Sequence, residues 1–363
     1  MSDAVRTEAF RQAITQAVKP GDVVADVGCG VAVLGLMCLE AGAARVWGID
    51  CTDAIEIARE TAQRAGFADR YHCVGESSFR AVLPEPVDVV ICDHVGYFGI
   101  DYGIIQIATD ARRRFLRPGG RVIPGRITLQ VAGVTSPDCR AKAEAWAGPD
   151  VPAAFHWLRD SGINIKYSQL LDRETVITGQ SALGTIDLNA EIPDAVRFDA
   201  ELVAVSAGQL DGLGGWFDCE IVEGVTMTNS PLADRPIRRP QVFLAFDRPL
   251  TVDEGDRISV SVSIRPDAAV IAWSGRNCRT GEAFRQSTWR SQILREEDFA
   301  PKGTQIRSLT PVGAALQAIL GYVDGRRTDR EIEDLVLHNH PGLLPSDEEV
   351  RKLVRSELAR SAR

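Results

Sequence analysis

Residues 24–35, VADVGCGVAVLG, constrain the fold more than any other stretch of the chain. An apolar, β-branched run ends in a glycine turn, and a second apolar run of helical character follows. This is the pattern of a buried strand that passes directly into a packed helix. Gly28 allows the chain to turn at positive φ. Gly30 lets the backbone approach a ligand, with the N–H groups of a helix N-terminus nearby. Val33 stands where a dinucleotide fingerprint has its third glycine, which weighs against NAD. Asp50 follows about twenty residues later, at the end of the next apolar run, where a carboxylate accepts hydrogen bonds from ribose hydroxyls. A tight turn alone explains the glycines. The carboxylate at the neighbouring strand end adds the expectation of a ribose-bearing ligand.

The first third of the chain continues in the same rhythm. Strands are expected at Val23–Val27, Arg45–Ile49, Tyr71–Val74, 87–92 and 121–123. Helices are expected at 33–41, 54–65 and 104–115, the last closed by Pro118-Gly119-Gly120. Alternating strands and helices argue for an α/β, Rossmann-like parallel sheet covered on both faces. The middle differs. A helical pattern over 138–159 precedes short alternating segments at 197–205, 216–225, 241–246, 257–264 and 270–274, the pattern of an antiparallel β domain, barrel or sandwich. After residue 295 the pattern is helical again, at 312–324, 329–338 and 346–360, with Asp329 and Ser346 as expected N-caps. Three segments result: 1–125, 126–294 with a helical arm near 138–160, and a helical extension over 295–363.

Composition bounds the function. The 363 residues carry 41 Lys and Arg against 50 Asp and Glu, a formal charge of −9, which argues against a general nucleic-acid binder. No apolar run reaches the length of a membrane span, so no membrane partner is expected. The first residues, MSDAVRTEAFRQAI, are charged throughout and lack the apolar core of a signal peptide. Eight cysteines, none in a CxxC pair, read as reduced thiols of a cytoplasmic protein, mostly buried. The five histidines form no metal-binding spacing, so no metal is expected.

At five segments the sequence resembles the protein arginine methyltransferases, a branch of the Rossmann-like methyltransferases that use S-adenosyl-L-methionine. Asp3-Ala-Val-Arg-Thr-Glu-Ala-Phe-Arg is similar to the family's D-x-V-R-T-x-x-Y-R helix. Residues 24–35 are similar to its G-x-G-x-G strand–turn–helix, with Ala32 in the last glycine position. Gly48-Ile-Asp50 matches the ribose-binding strand end. Val87 to Tyr97, VDVVICDHVGY, is similar to V-D-x-I-x-S-E-W-M-G-Y, and residues 116–126, LRPGGRVIPGR, to the junction that leads into a β-barrel. The resemblance runs from about residue 3 to about residue 275. It implies a Rossmann-like domain followed by an antiparallel barrel, with S-adenosyl-L-methionine as methyl donor. Arg6 would hold the donor's carboxylate, Gly28 and Gly30 its methionine and ribose side, and Asp50 the ribose. Ser78 falls where the family places an adenine-reading glutamate, and Glu76 is a neighbouring substitute. Asp26, Cys51 and Asp93 complete the donor set. The family's dimer arm corresponds to about 141–159, which implies a homodimer.

The acceptor motifs depart from the family. Its two glutamates, which grip a guanidinium, become Asp93 and Tyr102. Asp101 is the carboxylate beside Tyr102, and a one-residue shift would restore a pair as Asp93 and Asp101. The tryptophan after the first glutamate becomes His94, read either as a packing replacement or as a general base near neutral pH. Tyr97 is read as a packing residue. The family's Thr-His-Trp motif falls near Pro236-Ile237-Arg238 and is absent. Arg238 is read as a solvated arginine or as a contact for an acidic group. Donor motifs persist while acceptor motifs change. The expected function is therefore methyl transfer to a nitrogen or other heteroatom of a small-molecule or peptide acceptor, with Asp93, His94 and Asp101 as catalytic candidates. The alternatives are protein arginine N-methylation and a partner protein that keeps the donor fold without turnover. The stretch 320–332 resembles small winged-helix-like modules, some of which bind peptide leaders. Its plainer reading is a structural helical cap.

Overall fold

A computed structural model of the chain describes residues 3–193, 195–265, 270–291, 309, 311–341 and 346–362. The chain forms two compact units, Met1–Ile293 and Leu294–Arg363.

The first unit opens with helix α1 (Ala4–Ala17), capped by the Asp3 side chain, which accepts from Arg6 N. Then follow β1 (Val23–Val27), α2 (Val33–Glu40), β2 (Arg45–Ile49), α3 (Ala54–Arg64), β3 (Tyr71–Val74), β4 (Val87–Ile91), α4 (Ile104–Arg114) and β5 (Leu116–Ile123). The five strands make one parallel sheet in the order β3-β2-β1-β4-β5. β1 and β4 at its centre are buried nearly throughout, as a sheet covered on two faces requires. The chain leaves β1 toward β2 and β3, then returns to the other side of β1 as β4. That reversal opens a crevice at the carboxyl ends of β1 and β4, the place where such sheets bind ligands.

The chain then builds two antiparallel sheets. β6 (Arg126–Val134), β7 (Lys166–Gln169), β8 (Ser181–Asp187), β10 (Gly208–Val222), β11 (Val225–Thr228) and β12 (Gln241–Val252) form the first, in the path β7-β12-β10-β6-β8 with β11 on β10. β9 (Val196–Val203), β13 (Arg257–Arg265), β14 (Val270–Asn277) and β15 (Ala283–Ser287) form the second, ordered β15-β14-β13-β9. β8 meets β9 on one side and β12 meets β15 on the other, so the sheets enclose a shared apolar interior. Its largest side chains include Phe217, Phe246 and Trp273, all fully buried.

Four expectations need correction. The helix over 138–159 is broken into α5 (Pro137–Ala143), short 3-10 turns at Ala145–Ala147 and Ala153–Leu158, and α6 (Arg159–Ile163). Pro149 and Pro152 are the cause. The residue before a proline is driven out of the helical region, and Gly148 is extended at φ −62 and ψ 155. The strand at 121–123 begins five residues earlier, at Leu116, because the Pro-Gly-Gly read as a turn runs on as an edge strand. β6, β7, β8 and β15 were not anticipated, the last three because they lack a clean apolar alternation. The N-cap near residue 329 is Thr328, in a capping box with Glu331, rather than Asp329.

The second unit contains helices α7 (Pro311–Leu320), α8 (Asp329–Asn339) and α9 (Asp347–Ser361), and no strand among its described residues. Ile319, Ile332, Val336, Val350, Val354 and Leu358 form its core. Buried Glu333 is held by Arg351 and Arg355. No helix among the described residues is long and apolar enough to cross a membrane.

Candidate active site

The crevice at β1 and β4 is the site. A cleft of about 220 Å³ is lined by Arg6, Phe10, Asp26, Gly28, Cys29 and Asp93, among others. Gly28 follows β1 directly at φ +68, and Asp93 lies two residues past β4. Only glycine fits at position 28 for a second reason: a Cβ there would sit 1.9 Å from Cε1 of His94. The imidazole therefore rests on the glycine turn. Gly30, at φ +52, has open space where its Cβ would be, so the turn exposes bare backbone. Ala32 stays in the left-handed region at φ +75, where the resemblance expects glycine.

Asp50 ends β2 and is joined to this turn. Its Oδ2 accepts from Gly30 N at 2.9 Å, and its Oδ1 accepts from Thr52 N and Oγ1 at 2.9 and 2.6 Å. Burial pushes this carboxyl up, but the bonds from Thr52 and Gly30 outweigh it and hold Asp50 below its ordinary value. Asp50 thus stays ionised, with one acceptor position on Oδ2 to spare for a ribose hydroxyl. Asp26 is different. It is fully buried and accepts from Gly35 N at 2.9 Å, yet burial pushes its pKa from 3.8 to about 7.

Arg6 reaches the cleft from the first turn of α1 and pairs with Asp93 Oδ2 at 2.9 Å. Asp93 Oδ1 is buried without a hydrogen-bond partner. Burial raises the Asp93 pKa despite the nearby cations Arg6 and Arg239. His94 Nδ1 lies 3.1 Å from Cys92 Sγ, and burial lowers the imidazole pKa, so the ring is neutral near pH 7. Burial also keeps the Cys92 thiol protonated.

Of the donor set drawn from the sequence, Arg6, Asp26, Gly28 and Asp93 line the cleft, and Gly30 and Asp50 adjoin it through their mutual bond. Cys51, exposed, follows Asp50 and lies outside the cleft lining. Glu76 and Ser78 also lie outside it. Glu76 Oε1 is taken by Ser77 N at 2.7 Å and by Arg80.

Asp101 does not join Asp93. It lines a different cleft, pairs with Lys166 Nζ at 2.6 Å and accepts from Phe98 N at 2.6 Å. Its side chain is 1% exposed, so its charge is consumed in closing the 98–101 turn. Phe98 explains why that turn is fixed. Its ring is fully buried, and a Cβ on Gly215 of β10 would approach it to 2.6 Å. Burying such a ring is worth about 2–3 kcal/mol, and a register slip in the loop would forfeit it. Tyr97 is half-buried, with Lys166 Nζ 5.5 Å from its ring centre. Tyr102 is 51% exposed.

Four contributors were missed from sequence. Lys166 sits on unanticipated β7. Asn229, fully buried, donates to Tyr97 O and Pro240 O at 2.7 Å each and so ties the 93–103 loop to the 229–240 segment. Asp3 accepts from Arg6 N through Oδ1 and from Arg238 N at 2.7 Å through Oδ2, which locks α1 to that same segment. Arg239 follows. Its guanidinium lies 5.7 Å from the Tyr102 ring centre, and burial, against the pull of Asp93, lowers its pKa. Arg238 itself is exposed.

The chain is similar to several known methyltransferases. The family described as ribosomal protein L11 methyltransferase (PrmA) matches residues 7–136. A probable protein arginine N-methyltransferase 6 of Arabidopsis thaliana is 28% identical over 229 residues, 61% of this chain and 53% of that protein. Protein arginine N-methyltransferase 1 of Dictyostelium discoideum is 24% identical over 274 residues, 73% of this chain and 80% of the relative. The chain thus spans about half the length of the first relative and most of the second. The Trypanosoma brucei PRMT1 enzyme-prozyme complex with AdoHcy superposes with a TM-score of 0.70 at 21% identity, over 79% of this chain and 95% of the other. The chain is a relative of the protein arginine N-methyltransferases. Arabidopsis thaliana protein arginine methyltransferase 10 shares the fold to a similar degree, with a TM-score of 0.69 at 21% identity.

Proposed function

We propose that the chain is an S-adenosyl-L-methionine-dependent methyltransferase whose acceptor is a nitrogen or other heteroatom of a small molecule or peptide. The observation that carries this reading is the convergence of Arg6, the bare Gly28–Gly30 turn and ionised Asp50 at the reversal point of the sheet. These residues fit the donor. Arg6 suits its carboxylate, the glycine turn leaves room for its backbone-hugging portion, and Asp50 suits its ribose. When bound, the donor supplies an electrophilic methyl group.

The chain's own residues do the rest by positioning. Asp93 Oδ1, buried and lacking a partner, accepts a hydrogen bond from the acceptor's N–H or O–H and raises electron density on the attacking atom. His94, neutral beside Asp93, takes the proton released when the bond to carbon forms. The buried loop excludes water, and alignment of this kind contributes up to about 7–11 kcal/mol. Protein arginine N-methylation through an Asp93–Asp101 pair is the weaker reading, because Asp101 is spent on Lys166 and Phe98. A homodimer through 137–163 forms part of the proposal, supported by Trp146, Phe155 and Trp157, each 45–60% exposed on that segment. Eight cysteines without a disulfide fit a cytoplasmic setting.

The test is titration with S-adenosylhomocysteine followed by labelled-donor incubation with metabolites and with arginine-rich peptides. Saturable binding that weakens about 10- to 100-fold in Asp50→Ala is expected, as for a lost bond to a charged group. No binding to the native protein would overturn the donor assignment. Label confined to arginine side chains of the peptides would favour the second reading.

A further inference from the structure

Two buried polar atoms, one on cleft-lining Asp93 and one on Arg239 near it, have no hydrogen-bond partner among the described residues, and they are of opposite kind. Asp93 Oδ1 is an acceptor, and Arg239 Nη1 is a donor. They do not satisfy each other, for no ion pair joins the two side chains, although each charge acts on the other. The remaining counter-charges are occupied. Asp93 Oδ2 is paired with Arg6, the two Asp3 oxygens with Arg6 N and Arg238 N, and Asp101 with Lys166. Tyr102, whose ring lies under the Arg239 guanidinium, fixes the direction of that group without neutralising it.

The charge around Asp93 follows. Arg6 is paired with Asp93, His94 is neutral, and the Asp3 carboxylate, held by backbone N–H groups, acts on Arg239 only through space, so Arg239 is the guanidinium left without an ion-pair partner among the described residues. A cationic acceptor such as a guanidinium would meet this half-buried, unpaired like charge. An anionic one would meet a planar fork of donors suited to two oxygens. We infer that the acceptor bears a carboxylate or comparable anionic group, which Arg239 binds while Asp93 Oδ1 holds the reacting N–H or O–H. This inference rests on the methyltransferase reading for the identity of the second group, but the anion site itself is a property of Arg239 and its surroundings.

The experiment titrates the full chain, saturated with S-adenosylhomocysteine so that Arg6 is engaged, with formate, acetate and benzoate against formamide, acetamide and benzamide at constant ionic strength. The acids are expected to bind about 10- to 100-fold more tightly than their amides, the range for a charge-assisted pair. Arg239→Gln removes the difference, and Arg239→Lys retains part of it because the charge survives without the fork. Equal binding of acids and amides to the native protein, or a preference that persists in Arg239→Gln, would overturn the inference. Should Arg239→Gln not fold, the native comparison and Arg239→Lys still decide. Failure of S-adenosylhomocysteine to bind strikes the donor reading instead. The acid–amide comparison is then made on the free protein, with Arg6→Gln separating the two arginines.

Discussion

On the donor side of the cleft, Gly28 and Asp50 stand at the ends of parallel strands whose ladders fix them from both sides. On the acceptor side, Asp93, His94, Asp101 and Arg239 stand on loops whose positions come from long-range contacts: Phe98 against Gly215, Asn229 to Tyr97, Asp3 to Arg238. In the first group, Gly28, Gly30 and Asp50 come together as the sequence pattern predicts. In the second group, nearly every charge is replaced or re-paired. Residues held by strand ends have few alternative partners, whereas a loop carboxylate one position away from its expected place can find a lysine instead.

The largest test of this contrast is Asp93→Asn. It removes the acceptor-side carboxylate, so transfer should fall by about 100- to 1,000-fold, the cost of losing one preorganised electrostatic group. S-adenosylhomocysteine affinity should change little. Equal losses in both measurements would place Asp93 with the donor group. Gly28→Ala is next. The left-handed φ costs about 1–2 kcal/mol, and the collision with His94 adds about 1–3 kcal/mol of overpacking. Denaturant melts should show that loss together with impaired donor binding. A variant that melts like the native protein would mean that His94 is not seated on the turn.

Asp26 gives a pH-dependent test. Its pKa is raised on folding from 3.8 to about 7, so the folded state holds a proton that the unfolded chain releases. Stability from this group is present at low pH and is lost as pH rises through that window. Asp26→Asn should flatten the decline between about pH 4 and pH 7, and an unchanged slope would reject a buried Asp26 of this kind. The smallest effect is expected from Ala32→Gly. Relief of its left-handed conformation should stabilise the chain by about 1 kcal/mol in denaturant melts.

The parallel sheet was legible because its strands are short, apolar and closed by turn residues. The meeting of Gly28, Gly30 and Asp50 was legible because these residues are tied to those turns. Asp101 misled because its choice of partner depends on Lys166, which lies on a polar strand with no alternation to announce it. Arg239 was hidden beside a second arginine, where only the fold separates exposed Arg238 from its half-buried neighbour. Asn229 carried no pattern at all, since its bonds are to backbone carbonyls set by tertiary position. The broken arm was readable in Pro149 and Pro152 and was overridden by the aromatic spacing around them. Residues 292–308 fall outside the described residues, as does the side chain that starts the expected helix at 312–324.

The Asp3 carboxylate spans two sites with its two oxygens. One closes the first turn of the helix that carries Arg6, and the other holds the backbone beside Arg239. On the proposed reading, a movement of α1 on methyl-donor capture would reach the backbone beside Arg239 through this carboxylate. If occupancy at one end alters affinity at the other, reciprocity requires the same factor in both directions. A two-substrate enzyme wired in this way favours a compulsory order of addition, with the acceptor pocket completed by the first substrate to arrive.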